Sequence, residues 1–393
     1  MQNPIYLYFD GLEHPLRLTG CKQLTEYFPI LFPGQDYRPG EPNDNPLFSI
    51  QYDGHVYHFS TPWMEESKSY TDKVDVLCDL ISKLAYARSF YDRGALYLHA
   101  ASVLINGRLV VFPSQFRAGK SFLTACLVAE GHLYLGDDVL PLTLDTCKGR
   151  APGFAPRLRL PLPTTTDEKS KRFIESHTAL AGKRYAYLSL EQELRVAQND
   201  LYDIGAFVLL EREEGSHAQL EELPVATVFQ QLIKQNFARE VDGSRILTTL
   251  TQVVSNAQCI KIRYDRADEA VRLLTDHFAS WPSQSDGFQF ESDVSGVESK
   301  TPKTISNDSI VQNKLAQKIR IEGENFLASP DGKAIYHLNP IGSGIWELLA
   351  EPTSKEDIVS TLATAFPETN RLTIEKDVAE ILNRLQSKNL ISQ

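Results

Sequence analysis

Over residues 1–70 the apolar residues come in short alternating runs broken by Pro, Gly, Asp and Asn, as in LFPGQDYRPGEPNDNPLFSIQYDGHVYHFS. That pattern predicts short strands joined by turns. From Lys73 to Arg93 the period lengthens. Leu77, Leu80, Ile81, Leu84 and Ala85 recur at helical spacing and predict one amphipathic helix. An α/β region follows to about Trp281. In it, ALYLHAASVLI and RLVVF are β-rich runs separated by Asn106-Gly107. That dipeptide predicts a two-residue hairpin, because a type I′ turn needs φ > 0 at both central positions. The register sets Ile105 opposite Arg108 and, continued outward, His99 opposite Ser114. Beyond RLVVF come a loop (113–121) and the helical run SFLTACLVAE, stopped by Gly131. Next is HLYLGDDVLPL, a short strand ending in Asp137-Asp138. Short strand–helix–strand connections cross over right-handedly, so this strand is expected to lie parallel beside RLVVF.

Residues 282–309, rich in Ser, Asp, Gly and Pro, predict a flexible linker. The pattern then starts afresh. KIRIE, NFLAS and KAIYHLN read as three strands, the last two joined by a turn at Pro330-Asp331-Gly332. Asn339-Pro340 opens a helix over IGSGIWELLA. TSKE, 353–356, reads as a capping box for a second helix. Thr373 is expected to cap a third, running from about Ile374 to Lys388. Three strands and three helices predict a small winged-helix domain.

The domain organisation expected from these patterns is 1–95 (strand-rich, then helical), 96–281 (α/β), 282–309 (linker) and 310–393. At 393 residues, 42% hydrophobic and 23% charged, the chain is an ordinary globular one. Lys and Arg number 40 against 51 Asp and Glu, a net charge of −11. That disfavours nucleic acid and anionic membranes as partners. The opening MQNPIYLYFDGLEHPLRL has no basic stretch followed by an apolar core, and no apolar run is long enough to span a bilayer. With five scattered cysteines, no CxxC and no HExxH, the expected compartment is the reducing cytoplasm, without a zinc site or disulfide framework. His55 and His58, with no third ligand in the sequence, read as strand-face residues.

Chemistry concentrates in PSQFRAGKSFL, residues 113–123. Its ending, Gly119-Lys120-Ser121, is that of a phosphate-binding loop. The glycine such loops carry five residues earlier is Ser114 here, and the strand–loop–helix context is the one such a loop requires. Backbone N–H groups at the helix start would cradle phosphates, Lys120 would reach the β/γ oxygens, and the Ser121 hydroxyl would meet Mg²⁺. Asp137 and Asp138 fall at the carboxyl end of a strand, where open α/β sheets bind ligands. Because neighbouring residues point opposite ways, one should meet Mg²⁺ and the other sit near an acceptor hydroxyl. Two basic clusters, Arg157 with Arg159 and Lys183 with Arg184, are candidate clamps for phosphoryl oxygens, with plain surface charge the alternative.

LHAASVLINGRLVVFPSQFRAGKSFLTACLVAEGHLYLGDDVLPL resembles the core of HPr kinase/phosphorylase-related kinases, which carry a His before the loop strand, a Gly-Lys-Ser/Thr loop and paired aspartates after the loop helix. The resemblance is specific over about 96–142. It implies an α/β P-loop fold of the HPr kinase and phosphoenolpyruvate carboxykinase type. It also implies transfer of the ATP γ-phosphoryl group to a serine hydroxyl on a protein or peptide. Nucleotide contacts then fall on Ser114, Arg117, Ala118, Gly119, Lys120 and Ser121. Asp137 is the base, assisted by His99, and Ser121 and Asp138 contact the metal. The family usually has glycine where Ser114 and Arg117 stand.

Residues 310–391, with GKAIYHLNPIGSGIWELL and the closing LNRLQSKNLI, resemble the PqqD-like peptide-binding domains of ribosomal peptide modification. Such domains hold a precursor's leader peptide as an added strand, here against Ala334, Ile335, Tyr336, His337 and Leu338, with the third helix walling the groove. Other peptide-maturation enzymes are further expected partners. Residues 310–393 hold nine Lys and Arg against eleven Asp and Glu, which argues against DNA. Together the resemblances imply a fused kinase that phosphorylates a Ser or Thr of a ribosomally made precursor. Two other readings stand beside it: a catalytically inactive nucleotide-binding chaperone that presents the peptide, and a DNA-binding regulator.

Overall fold

The computed structural model describes residues 3–113, 118–198, 200–281 and 309–392. The chain divides into two compact units. One runs to Leu223 and takes in 234–240 and the segment from Gln252 to the end of the described α/β region. The other holds 224–233, 241–251 and the described residues from Ser309 on.

The first unit opens with a six-stranded sheet of β1 (Ile5–Phe9), β2 (Leu16–Thr19), β3 (Tyr37–Pro39), β4 (Phe48–Tyr52), β5 (Tyr57–Ser60) and β6 (Lys68–Tyr70), in the order β3-β1-β2-β4-β5-β6. The predicted turn-rich strands are there. A 3₁₀ turn, Lys22–Tyr27, and the four-residue α1, Phe28–Leu31, are additions that are too short to show a period. His58, in β5, spans Asp53 (3.2 Å) and Ser69 (3.1 Å) on the strand surface. α2, Lys73–Tyr91, is the predicted helix, with the Asp72 carboxylate accepting from the Val74 N–H.

The apolar run ALYLHAASVLI is two strands, not one: β7 (Ala95–Leu98) and β8 (Ala101–Ile105). β7 leaves to pair with β11 (Leu140–Thr143), and only β8 forms the hairpin with β9 (Arg108–Phe112). Both strands are almost wholly buried, and a continuous apolar run carries no mark of where the chain changes sheets. Within the hairpin the register is as predicted, Ile105 opposite Arg108 and Ala101 opposite Phe112, with φ of 47° at Asn106 and 84° at Gly107. The register does not continue to His99, which sits at the break and donates its N–H to the Gln235 carbonyl (2.9 Å).

α3, Lys120–Glu130, ends at Gly131 as expected. The strand after it, β10 (Leu133–Gly136), does not lie beside β9. It pairs antiparallel with β8, at the end of a sheet ordered β10-β8-β9-β15-β17-β16. The hairpin partner occupies the neighbouring slot, and the crossover reaches past it. Since β8 opposes both, β9 and β10 still run the same way and end at the same edge. β15 (Ile204–Arg212) and β17 (Gln258–Tyr264) extend this sheet in parallel, and β16 (Gln219–Glu222) closes it. Val110, Phe112, Val208 and Ile262 pack with Leu127 of α3 and Leu274 of α7 (Ala267–His277) in the core. A small sheet of β12 (Arg157–Arg159), β13 (Thr178–Ala181) and β14 (Tyr185–Leu188), with α4 (Glu168–His177), completes the unit.

The second unit begins with parts of α5 (Val225–Gln235) and α6 (Gly243–Ser255). β18 (Ser309–Gln312) is followed by the predicted meander of β19 (Gln317–Ile321), β20 (Glu324–Ala328) and β21 (Ile335–Leu338). α8 (Pro340–Leu348) starts at Asn339, whose side chain accepts from the Gly342 N–H, as predicted. The next two caps differ from expectation. α9 (Lys355–Ala365) is capped by Ser354, not Thr353; the Ser354 hydroxyl accepts from the Asp357 N–H and donates to the Asp357 carboxylate. α10 (Arg371–Ser387) is capped by Asn370, three residues before the expected cap Thr373. Cap-competent residues stand close together at both places, and packing of the first turn selects among them. The two-residue strands β22 (Thr353–Ser354) and β23 (Ile391–Ser392) flank β18. Trp346, Ile358, Val378, Leu382 and Leu385 form the core. Phe229 of α5 meets Phe326 edge-on at 4.7 Å. No helix among the described residues is long and apolar enough to cross a membrane.

Candidate functional site

The parallel strands deliver their chemistry at one sheet edge. Beyond β9, Ser114 and Arg117 lie outside the described residues. Ala118 and Gly119 lead into α3. Gly119 is its N-cap with φ of 90°, left-handed backbone that strains any residue with a Cβ. Lys120 is the first helical residue and is 6% exposed. Burial depresses its pKa, while Asp138 and Asp137 oppose the shift. At the end of β10 a Cβ on Gly136 would stand 2.8 Å from the Val139 carbonyl oxygen, so glycine permits the tight bend that presents the aspartates.

The two carboxylates occupy different surroundings. Asp137 is 5% exposed. Its Oδ1 accepts from the Tyr134 hydroxyl (3.1 Å) and its Oδ2 from the Arg157 N–H (3.0 Å). Burial, reinforced by the Asp138 charge, pushes its pKa up to about 6. Burial also opposes the charge of Asp138, but the nearby His99 and the Arg157 guanidinium outweigh it and hold the carboxyl below its usual range. Arg157 pairs directly with Asp138, and His99 Nε2 is 3.6 Å from Asp138 Oδ1. Arg157 also reaches Cys78 Sγ (2.9 Å) and lies over the Tyr185 ring (5.2 Å). These partners keep its guanidinium charged despite burial.

Two cavities adjoin here. One, about 440 Å³, is lined by Ala118, Gly119, Lys120, Ser121 and Arg212. The other, about 500 Å³, is lined by Asp137 and not by Lys120. His99, Asp138, Arg157, Arg159 and Tyr185 face both. Thus His99, Lys120, Ser121, Asp137 and Asp138, spread over 40 positions of sequence, are gathered at one place. Of the basic clusters, Arg157 and Arg159 line both cavities, whereas Lys183 and Arg184 line neither, and Arg184 pairs with Asp75 (3.2 Å). Tyr134 and Arg212 carried no sequence signal: Tyr134 reads as an apolar residue inside β10, and Arg212 as one of two charged residues that end β15. Among the described residues no three His, Cys, Asp or Glu side chains converge as a metal-ligand set. An ion that keeps its waters and takes one carboxylate plus substrate phosphates needs no such set; Asp138 and Ser121 line the same cavity.

Ala334 to Leu338 belong to the second unit. β21 has one strand neighbour, β20, among the described residues. The Ser329 N–H donates to the Ala334 carbonyl, so the alternating ladder makes Leu327–Tyr336 and Asn325–Leu338 the hydrogen-bonded pairs. The N–H and C=O of Ile335 and His337 therefore point away from β20. Tyr336 and Leu338 pack on the core. The His337 ring stacks on Phe326 and bonds Glu324 and Gln230.

Residues 324–391 match the family model described as Coenzyme PQQ synthesis protein D (PqqD), in line with the C-terminal resemblance read from the sequence. No curated protein matches the chain. Among solved structures, TbiB1 in complex with the TbiA(beta) leader peptide is similar at 27% identity, over 21% of this chain and 94% of that one, with a TM-score of 0.20. The Hpr(Ser) kinase/phosphatase from Coxiella burnetii is similar at 15% identity, over 47% of this chain and 96% of that one, with a TM-score of 0.22.

Proposed function

We propose that this chain is an ATP-dependent kinase that phosphorylates a serine or threonine of a ribosomally made precursor peptide, held through its leader by the C-terminal domain. The observation that carries the reading is the gathering of Lys120, Ser121, His99 and the Asp137–Asp138 pair around two adjoining cavities at one sheet edge. In this reading residues 96–281 are a P-loop kinase domain of the HPr kinase type, 282–309 is a linker, and 310–393 is a winged-helix leader-binding domain. The loop with Ser114 and Arg117, the α3 N-terminus and Lys120 take the ATP phosphates. Ser121 and Asp138 would hold Mg²⁺, which supplies charge neutralisation at those phosphates. Asp137, with a pKa near 6, is mostly ionised at neutral pH and basic enough to accept the hydroxyl proton. The hydroxyl oxygen then bonds to the γ-phosphorus as the bond to the bridging oxygen breaks, and ADP leaves. His99 and Arg157 fix Asp138 and confine its charge. The PqqD match over 324–391 supports the leader role. The outward edge of β21, with no second strand neighbour among the described residues, supports strand addition as its mode.

The test is to incubate the chain with labelled ATP, Mg²⁺ and the small peptide encoded beside its gene. Label on a peptide hydroxyl is expected, with Lys120→Ala abolishing both transfer and calorimetric ATP binding. Binding of ATP and of the leader without any transfer would select the presenting chaperone instead.

A further inference from the structure

The cavity on the Asp137 side has a wall that phosphate binding does not use. The segment 234–239 is fastened antiparallel to the end of β7 by two main-chain bonds that flank the Leu98–Asn236 pair: His99 N–H to the Gln235 carbonyl and Phe237 N–H to the Tyr97 carbonyl. Lys234 and Arg239 are thereby held at the cavity on fixed backbone. Neither has a carboxylate partner among the described residues; the adjacent Glu240 lies instead beside Arg93 (4.0 Å). With Arg157 and Arg159, four cations face this space against two carboxylates, and Asp138 is already paired with Arg157. In a chain of net charge −11, that is a local reversal of sign around the one buried base. Between the cations the wall is aromatic, from Tyr86, Phe154 and Phe237. A neutral hydroxyl needs none of this charge, and the phosphates of ATP are served at the other cavity by Lys120 and the α3 N-terminus.

We propose that this cavity takes the acceptor, and that the acceptor presents a carboxylate close in sequence to its hydroxyl, bound by Lys234 and Arg239. The inference rests on the kinase reading and names its substrate class. The carboxylate is either an Asp or Glu side chain or the peptide's own C-terminus, since both offer the same two oxygens to these donors.

Three synthetic peptides of equal length, each with a single serine, test it on the full chain with ATP and Mg²⁺. In the first, aspartates flank the serine and the C-terminus is amidated. In the second, asparagines replace the aspartates. The third has the asparagines and a free C-terminal carboxylate next to the serine. The first or the third should exceed the second in kcat/KM by at least about tenfold, mainly through KM, and which one does so identifies the source. In K234A/R239A that advantage should fall toward one. In K234E/R239E a lysine-flanked peptide should overtake the asparagine one, which simple loss of folding would not produce. Equal kcat/KM on all three peptides, or an advantage that survives both variants, overturns the carboxylate inference and leaves the kinase reading standing. Absence of label on every peptide and on the precursor overturns both.

Discussion

Asp137 and Asp138 are the same side chain one position apart, and their neighbours make them different acids. Asp137 is walled in and receives two hydrogen bonds; Asp138 is half-open and faces Arg157 and His99. Raised toward 6, Asp137 is protonated below that pH and cannot accept a proton. Transfer should therefore fall as pH drops through about 6 and level off above it, as read in kcat/KM for the free enzyme. Asp137→Asn should keep ATP binding, lose about 10²–10⁴-fold in rate and lose this acid limb. In Tyr134→Phe the donor that favours the ionised form is gone, so the limb should move to higher pH with the base still present. Wild-type rates and an unmoved pH profile in Asp137→Asn would make this carboxylate structural. The same raised pKa bears on folding: the folded chain binds the Asp137 proton more tightly than the unfolded one, so this group's contribution to stability declines as pH rises from about 4 to about 6 and is flat beyond.

At the scale of elements, periodicity decides that a helix exists, and local competition decides where it begins. Ser354 and Asn370 are the caps in the structure. Ser354→Ala and Asn370→Ala should each cost about 1 kcal/mol in denaturant unfolding, whereas Thr353→Ala and Thr373→Ala should lose no capping energy. The reverse ranking would restore the caps predicted from sequence. The β21 edge makes an equally local prediction. Because the Ile335 N–H points away from β20, Ile335→Pro removes an outward donor and leaves the β20–β21 ladder its bonds, while Tyr336→Pro removes a ladder donor. Fluorescence anisotropy with a labelled leader should show weaker binding in Ile335→Pro on a domain that melts close to wild type. Undiminished leader affinity there would place the peptide elsewhere.

For the molecule as a whole, the proposed precursor carries leader and core in one chain, so capture of the first would make encounter of the second effectively intramolecular. Cutting the leader from the precursor should raise KM by about 10²-fold or more and leave kcat at saturation nearly unchanged, and a separate leader added in trans should not restore KM. Kinetics indifferent to the leader would mean that the PqqD-like region serves another purpose. The two expected functions are read from separate local patterns: Gly119-Lys120-Ser121 between strand and helix, and capped helices after a three-strand meander. The residues 224–233 and 241–251 group with the C-terminal region. That was not legible, since their apolar faces look the same whichever core they join.

By itself the sequence determined the elements that rest on short-range chemistry. Asn106-Gly107 dictates its turn because few residues tolerate two positive φ values, Gly119 fits the left-handed entry to α3, and Gly131 ends it. It also marked Lys120, Ser121, His99 and the two aspartates, because loop, strand end and helix start are local contexts. The tertiary structure decided what distance along the chain conceals. It split ALYLHAASVLI between two sheets, set β10 beside β8 rather than β9, and brought Arg157 onto the aspartates from about twenty residues downstream. It also fastened Lys234 and Arg239 at the cavity that Asp137, almost a hundred residues upstream, lines. Such contacts follow from which surfaces fill one core together. Apolar burial is non-directional, so the pattern of a strand fixes that it must be covered and leaves its partner to be settled by the rest of the fold.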